Sequence, residues 1–94
     1  MNCLLISYDL GVPETSDDYQ EVIKYVKALG AWAKPLYSVF LVLTHKTVSE
    51  VRDQIKDLTD ENDKILVLDV KNDSWATARI STDVTSWMKK NMWA

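Results

Sequence analysis

The stretch LYSVFLVLT, Leu36–Thr44, decides how this chain folds. Read as a strand, it places Leu36, Ser38, Phe40, Val42 and Thr44 on one face and Tyr37, Val39, Leu41 and Leu43 on the other. Both faces carry large apolar side chains, so a sheet built on it needs cover on both sides. A chain of 94 residues has material for one core. What covers the second face is therefore the question the sequence poses.

The segments on either side supply the first cover. NCLLISYDL is short and apolar and is stopped by Gly11 and Pro13, the pattern of a buried strand. In PETSDDYQEVIKYVKALG, Tyr19, Val22, Ile23, Val26 and Leu29 recur at helical spacing. Acidic residues crowd its first turn and Gly30 stands where a C-cap belongs. After the quoted strand, TVSE (Thr47–Glu50) has the form of a capping box, and Val48, Val51, Ile55 and Leu58 mark one face of a second helix. DENDK makes a turn, and ILVLDV, Ile65–Val70, reads as a third strand. Asn72, Asp73 and Ser74 signal another turn, and WATARI adds a short edge strand. Ser81 or Thr82 caps a terminal helix with Val84, Trp87, Met88 and Met92 on its apolar side.

Strands alternating with helices point to a two-layer α/β or α+β domain, a single unit over residues 1–94 with a core in 1–70 and an extension in 71–94. Right-handed crossovers put both early helices on one face if the third strand inserts beside the first. The other face, with Cys3 and Leu5 opposed to Leu4 and Ile6, is then bare. Bare apolar faces on the order of several hundred Å2 usually mark an interface. The expectation is a symmetric homodimer, sheet against sheet, with the extension at the seam. The alternative is that the terminal helix folds over that face within the same chain.

Composition narrows the chemistry. Hydrophobic residues make up 47% and charged residues 27%, ordinary for a globular protein, but four tryptophans are many for this length. A net charge of −3 counts against a broad grip on phosphates, though not against a local basic groove. One cysteine, Cys3, excludes an internal disulfide and fits a reducing compartment as a buried, inert thiol. No run approaches the ~20 apolar residues of a membrane span. The N-terminus lacks the basic start of a signal peptide, and a cytoplasmic location is expected.

ISYDL ending in Tyr8-Asp9, the helix closing in ALG, the signature Tyr37-Ser38-Val39-Phe40, and ILVLDV after a second helix together resemble a known family. It is the family of small CRISPR-associated proteins that partner the spacer integrase, with its stand-alone relatives. The virulence-associated protein D ribonucleases share the plan. The likeness covers roughly residues 3 to 70. It implies a ferredoxin-like α+β sandwich and a homodimer whose sheets meet across a two-fold axis, with Tyr37, Val39, Phe40 and Leu41 at the interface. It further implies that Asp9, ending strand one, holds a divalent metal such as Mg2+, and that Ser38 joins Asp9 in the catalytic set. Some members of the family are described as metal-dependent nucleases, others as scaffolds.

A carboxylate facing its symmetry mate could hold Mg2+ with water and phosphate in the remaining positions, which suits cleavage of RNA or short nucleic acid. The plainer account of Asp9 is that it caps the turn into GVPETS. Lys34, His45, Lys46 and Arg52, with Lys56, could form a modest basic strip for a phosphate backbone, and His45 could move a proton. Scattered bases on a helix are more often a solvated face. The stretch after Asp9 carries Glu14, Asp17, Asp18 and Glu21 and no base before Lys24, which repels phosphate. That favours the rival function, a non-catalytic dimeric scaffold or binding module for a protein partner or small ligand. Asp60, Glu61 and Asp63 lack the spacing of a calcium loop and read as a turn. Trp75, Trp87 and Trp93 read as packing residues rather than base-stacking ones.

Overall fold

The computed structural model describes residues 1–12 and 16–92. In chain order the elements are β1 (Asn2–Asp9), α1 (Asp17–Leu29), β2 (Trp32–Leu36), β3 (Val39–Thr44), α2 (Val48–Asp57), β4 (Lys64–Asp69) and α3 (Thr82–Asn91). The strands form one sheet in the order β2-β3-β1-β4, every neighbouring pair antiparallel. Each helix between strands thus carries the chain over one intervening strand, the split βαβ arrangement of a ferredoxin-like α+β sandwich. The fold class expected from the sequence is the one observed.

The stretch that decides the fold is not one strand. Trp32–Leu36 and Val39–Thr44 form a hairpin closed by the two residues Tyr37 and Ser38, with Leu36 paired to Val39. Ser38 has φ 56° and no Gly or Asn marks the turn. Pro35 sits where the register slips between Ala33 and Leu36, on an edge strand that can spare its missing N–H. Trp75–Ile80, expected as a short edge strand, adopts no regular structure, and Arg79 at φ 64° interrupts any extended run there. The turn expected at Asn72 is present, with Asn72 at φ 66°.

β1 lies between β3 and β4 and is covered on both faces. Leu4, Ile6 and Tyr8 point to the helical side, where they join Phe40, Val42, Val22, Val26, Val51 and Ile55 in the main core. Burying one such side chain contributes about 1.5–3 kcal/mol. On the far side, Cys3 and Leu41 are sealed by Met88 and Met92, flanked by Leu5, Leu43, Trp75, Val84 and Trp87. The terminal helix of the same chain therefore covers the face expected to be bare, and the premise for a sheet-on-sheet dimer is corrected accordingly. The cover is partial: Leu66 and Leu68 of β4 remain 54% and 44% exposed. Burial pushes the Cys3 thiol up to about 11, with Asp69 adding to the shift, so the thiol is protonated and unreactive at neutral pH.

Two junctions fix the layers. Gly30 ends α1 in an extended conformation, and a Cβ there would lie 2.1 Å from the Leu43 carbonyl oxygen. Its role is close approach, reinforced next door by Leu43 N–H donating to Ala31 O at 2.9 Å. Gly30→Ala should cost about 1–3 kcal/mol. Thermal unfolding should then show a Tm lower by about 4–8 °C for each kcal/mol.

α2 opens with the capping box read from the sequence. Glu50 N–H donates to Thr47 Oγ1 at 3.2 Å and Thr47 N–H donates to Glu50 Oε1 at 3.1 Å. The Thr47 backbone bond first, then its side chain, hold the Glu50 carboxyl below its usual range. A lowered carboxylate pKa contributes stability above the unfolded value of 4.5 that is lost as pH falls through the folded one. The gap in urea midpoint between the parent and Glu50→Ala should therefore be open at pH 7 and close as the pH is lowered below the carboxylate range.

Candidate active site

Asp9 is the last residue of β1 and is exposed. Tyr8 N–H donates to Ser38 O at 3.3 Å, so the Tyr37–Ser38 turn and Asp9 share one end of the sheet. Across the other side of β1, Asp9 is registered with Lys64. The structure brings Asp9, Ser38 and Tyr37 together.

The loop after Asp9 is held by residues other than Asp9. Leu10 N–H donates to the Tyr19 hydroxyl at 3.1 Å, and Gly11 N–H donates to Asp63 Oδ1 at 2.7 Å. Asp63 also accepts from Asp60 N–H through Oδ2 at 2.8 Å, so this acidic trio is a turn that staples two loops. Tyr19 is itself fixed by packing against Tyr8, ring centroids 5.7 Å apart. The Asp9 carboxylate makes no hydrogen bond or ion pair among the described residues. The capping role that would explain Asp9 as a structural residue is thus filled by Tyr19 and Asp63. Neither was singled out from the sequence for this task, because both act across long separations that periodicity does not reveal.

Among the described residues, no three His, Cys, Asp or Glu side chains cluster as a metal would require. Asp9 supplies one exposed carboxylate at the strand end, and Mg2+ binds through one or two protein carboxylates with a substrate phosphate and water in the other positions. Asp18 of α1, Asp57 at the end of α2 and Asp60 beyond it line one shallow acidic pocket together.

The basic residues do not form a strip. Lys34 lies on β2, its ammonium 5.0 Å from the Tyr37 ring and 5.4 Å from that of Phe40. His45 and Lys46 follow β3 at the opposite end of the sheet, beside Met1 and Gly30. A strand of this length separates them from Asp9 by about 20 Å. Arg52 is on α2, paired with Asp53 at 2.9 Å. Of the four residues expected at a dimer interface, Tyr37 is 77% exposed and Val39 half-buried, whereas Phe40 lies wholly inside the helical-side core and Leu41 under α3. Trp75 and Trp87 pack against the far face, and Trp93 lies outside the described residues.

A family model described as CRISPR associated protein Cas2 matches residues 1–78. This chain belongs to the CRISPR associated protein Cas2 family. The match takes in the whole sheet with α1 and α2 and stops within the connection to α3, so the helix that seals the far face lies outside the matched residues. Asp9 and the Tyr37–Ser38 turn, on which the sequence resemblance rested, fall inside it.

Ser38 can be tested apart from any chemistry. A left-handed φ costs a non-glycine residue about 1–2 kcal/mol, part of which glycine returns in its freer unfolded chain. Ser38→Gly should raise stability by about 0.5–1 kcal/mol in urea unfolding.

Proposed function

We propose that this protein is a homodimeric, metal-dependent endonuclease acting on RNA or short nucleic acid, with Asp9 of each copy contributing a ligand to a shared Mg2+. The observation that carries the reading is the Asp9 carboxylate, exposed at a strand end and relieved of capping duty by Tyr19 and Asp63. Family membership over residues 1–78 supports it. Mg2+ bound there would neutralise charge on the scissile phosphate and activate a water for attack. The chain's own residues prepare that end of the sheet. Asp9 offers an oxygen donor, Ser38 stands in the neighbouring hairpin turn where its hydroxyl would donate to a phosphate oxygen, and the Tyr8–Ser38 backbone bond ties that turn to the end of β1.

The two copies would meet at the margins of the sheet rather than its centre. Leu66 and Leu68 of β4 are large apolar side chains that α3 leaves exposed on the far face. They stand opposite Ser7 and Leu5 of β1, on the strand whose first residue, Lys64, pairs with Asp9.

A second reading, a dimeric scaffold or binding module without hydrolysis, is favoured by one specific observation. Asp18, Asp57 and Asp60 make the Asp9 end acidic, which attracts a cation and repels an approaching phosphate. One pair of measurements separates the two. With Mg2+ present, the parent should cleave a labelled RNA, and Asp9→Ala should lower the rate at least about a hundredfold while sedimentation shows the dimer intact. Cleavage unchanged in Asp9→Ala, or absent from the parent with both Mg2+ and Mn2+, rejects the nuclease reading.

A further inference from the structure

β2 is an edge strand, and its outer margin alternates aromatic rings with lysines. Lys27 of α1 holds its ammonium 4.5 Å from the ring centroid of Trp32. Lys34 reaches over Tyr37 and Phe40. Phe40 anchors the arrangement from within the core: the Trp32 ring meets it edge-on at 5.7 Å and 69°, and Tyr8 stacks behind it at 6.5 Å. The outward rings are open to solvent, Trp32 at 39% in addition to the hairpin-tip Tyr37. Neither lysine has a carboxylate within ion-pair distance among the described residues. In a chain of net charge −3, this margin gathers cations and exposed π-faces in one place.

We propose that the β2 margin binds an unpaired nucleic-acid strand, with bases stacking on Trp32 and Tyr37 and phosphates taken by Lys27 and Lys34. The energies are ordered for such an exchange. An exposed cation–π contact is worth about 0.5–1 kcal/mol, whereas a base stacked on an aromatic ring is worth about 1–3 kcal/mol. An arriving strand can therefore lift each lysine from its ring onto a phosphate and place a base on the vacated face. A duplex hides its base faces and gains only the phosphate contacts. A protein strand pairing with this edge is disfavoured by Pro35, which has no N–H to offer, and by the register slip beside it. Trp32 stays put because Phe40 holds it, so the platform is formed before the strand arrives. Binding here requires neither a metal nor Asp9, so it stands or falls separately from cleavage.

The test is fluorescence anisotropy of a fluorescein-labelled oligouridylate with the full chain, at low salt and with EDTA present. Saturable binding is expected, with log K falling against log salt at a slope of about −1.4, the value for two phosphates on a single strand, and about half that in Lys34→Met. Tyr37→Ala and Trp32→Leu should each weaken binding about five- to a hundredfold, the range of one lost stack. Circular dichroism and Tm show which variants are folded. Tyr37 is too exposed for its removal to unfold the chain, so it decides the matter if Trp32→Leu does not fold. A duplex of equal length should compete poorly. Asp9→Ala should bind as the parent does, and a parent that binds the oligonucleotide but cleaves no RNA with Mg2+ or Mn2+ strikes only the nuclease reading. The proposal is overturned if the folded parent leaves the oligonucleotide free, if folded Tyr37→Ala binds it undiminished, or if duplex competes equally well. A protein strand as the true occupant would give the first of these results.

Discussion

Everything in this molecule depends on β1 having to be covered twice. Leu4, Ile6 and Tyr8 on one side and Cys3 and Leu5 on the other leave no polar face to turn toward water. A strand of that kind must sit inside a sheet and between two layers. The helical layer comes from α1 and α2, brought to the same side by the handedness of the two crossovers. The second layer is α3 with its approach segment, and its two methionines cover Cys3 and Leu41. Methionine suits this position: its unbranched side chain fills an irregular surface without the tight complementarity an aliphatic core needs. The covering helix is attached by a stretch, Trp75–Ile80, that has no regular hydrogen-bonded structure of its own.

The sequence was legible where a local rule acted alone. The capping box at Thr47 and Glu50, the apolar stripe of α1, the turn at Asn72 and the Ser81 cap of α3 all depend on residues within four positions of one another. The hairpin was illegible because its turn breaks the usual chemistry. Ser38 adopts the left-handed conformation that glycine or asparagine normally signals, and the apolar run on both sides hides the reversal. Once Trp32–Leu36 is missed as a strand, the pairing of Trp32 with Lys27 and of Lys34 with Tyr37 cannot be anticipated either. At the site, Asp9 could be picked out by its place at the end of a strand. That Asp63, from the far side of α2, would take the Gly11 amide could not. Only the fold brings those two loops together.

Charge divides the sheet end on which Asp9 stands. Toward the start of α1 and the end of α2 the side chains are acidic, with Asp18, Asp57, Asp60 and Asp63. Toward β2 they are basic and aromatic, with Lys34 beside Tyr37. Asp9 lies between, registered with Lys64 on one side and next to the Ser38 carbonyl on the other. A polyanion approaching from the acidic side meets repulsion at close range, and screening at physiological ionic strength, with a Debye length of about 8 Å, does not remove it. Approach from the β2 side meets attraction. The two charge patterns read from the sequence, scattered bases and an acidic stretch after Asp9, thus occupy different parts of the structure.

This division also bears on assembly. With α3 seated, the centre of the far face is closed and Leu41 and Cys3 are out of reach. What stays open is the β4 margin at Leu66 and Leu68 and the hairpin tip at Leu36 and Tyr37. A second copy placed against the far face would either bury the β4 margin or displace α3 and take the whole face. The first route keeps the Met88 and Met92 contacts and adds to them; the second must first lose the burial of both methionines, about 1.5–3 kcal/mol apiece, before any gain is made. Contact at the β4 margin is thus the cheaper assembly, because it adds burial without first giving up the Met88 and Met92 contacts.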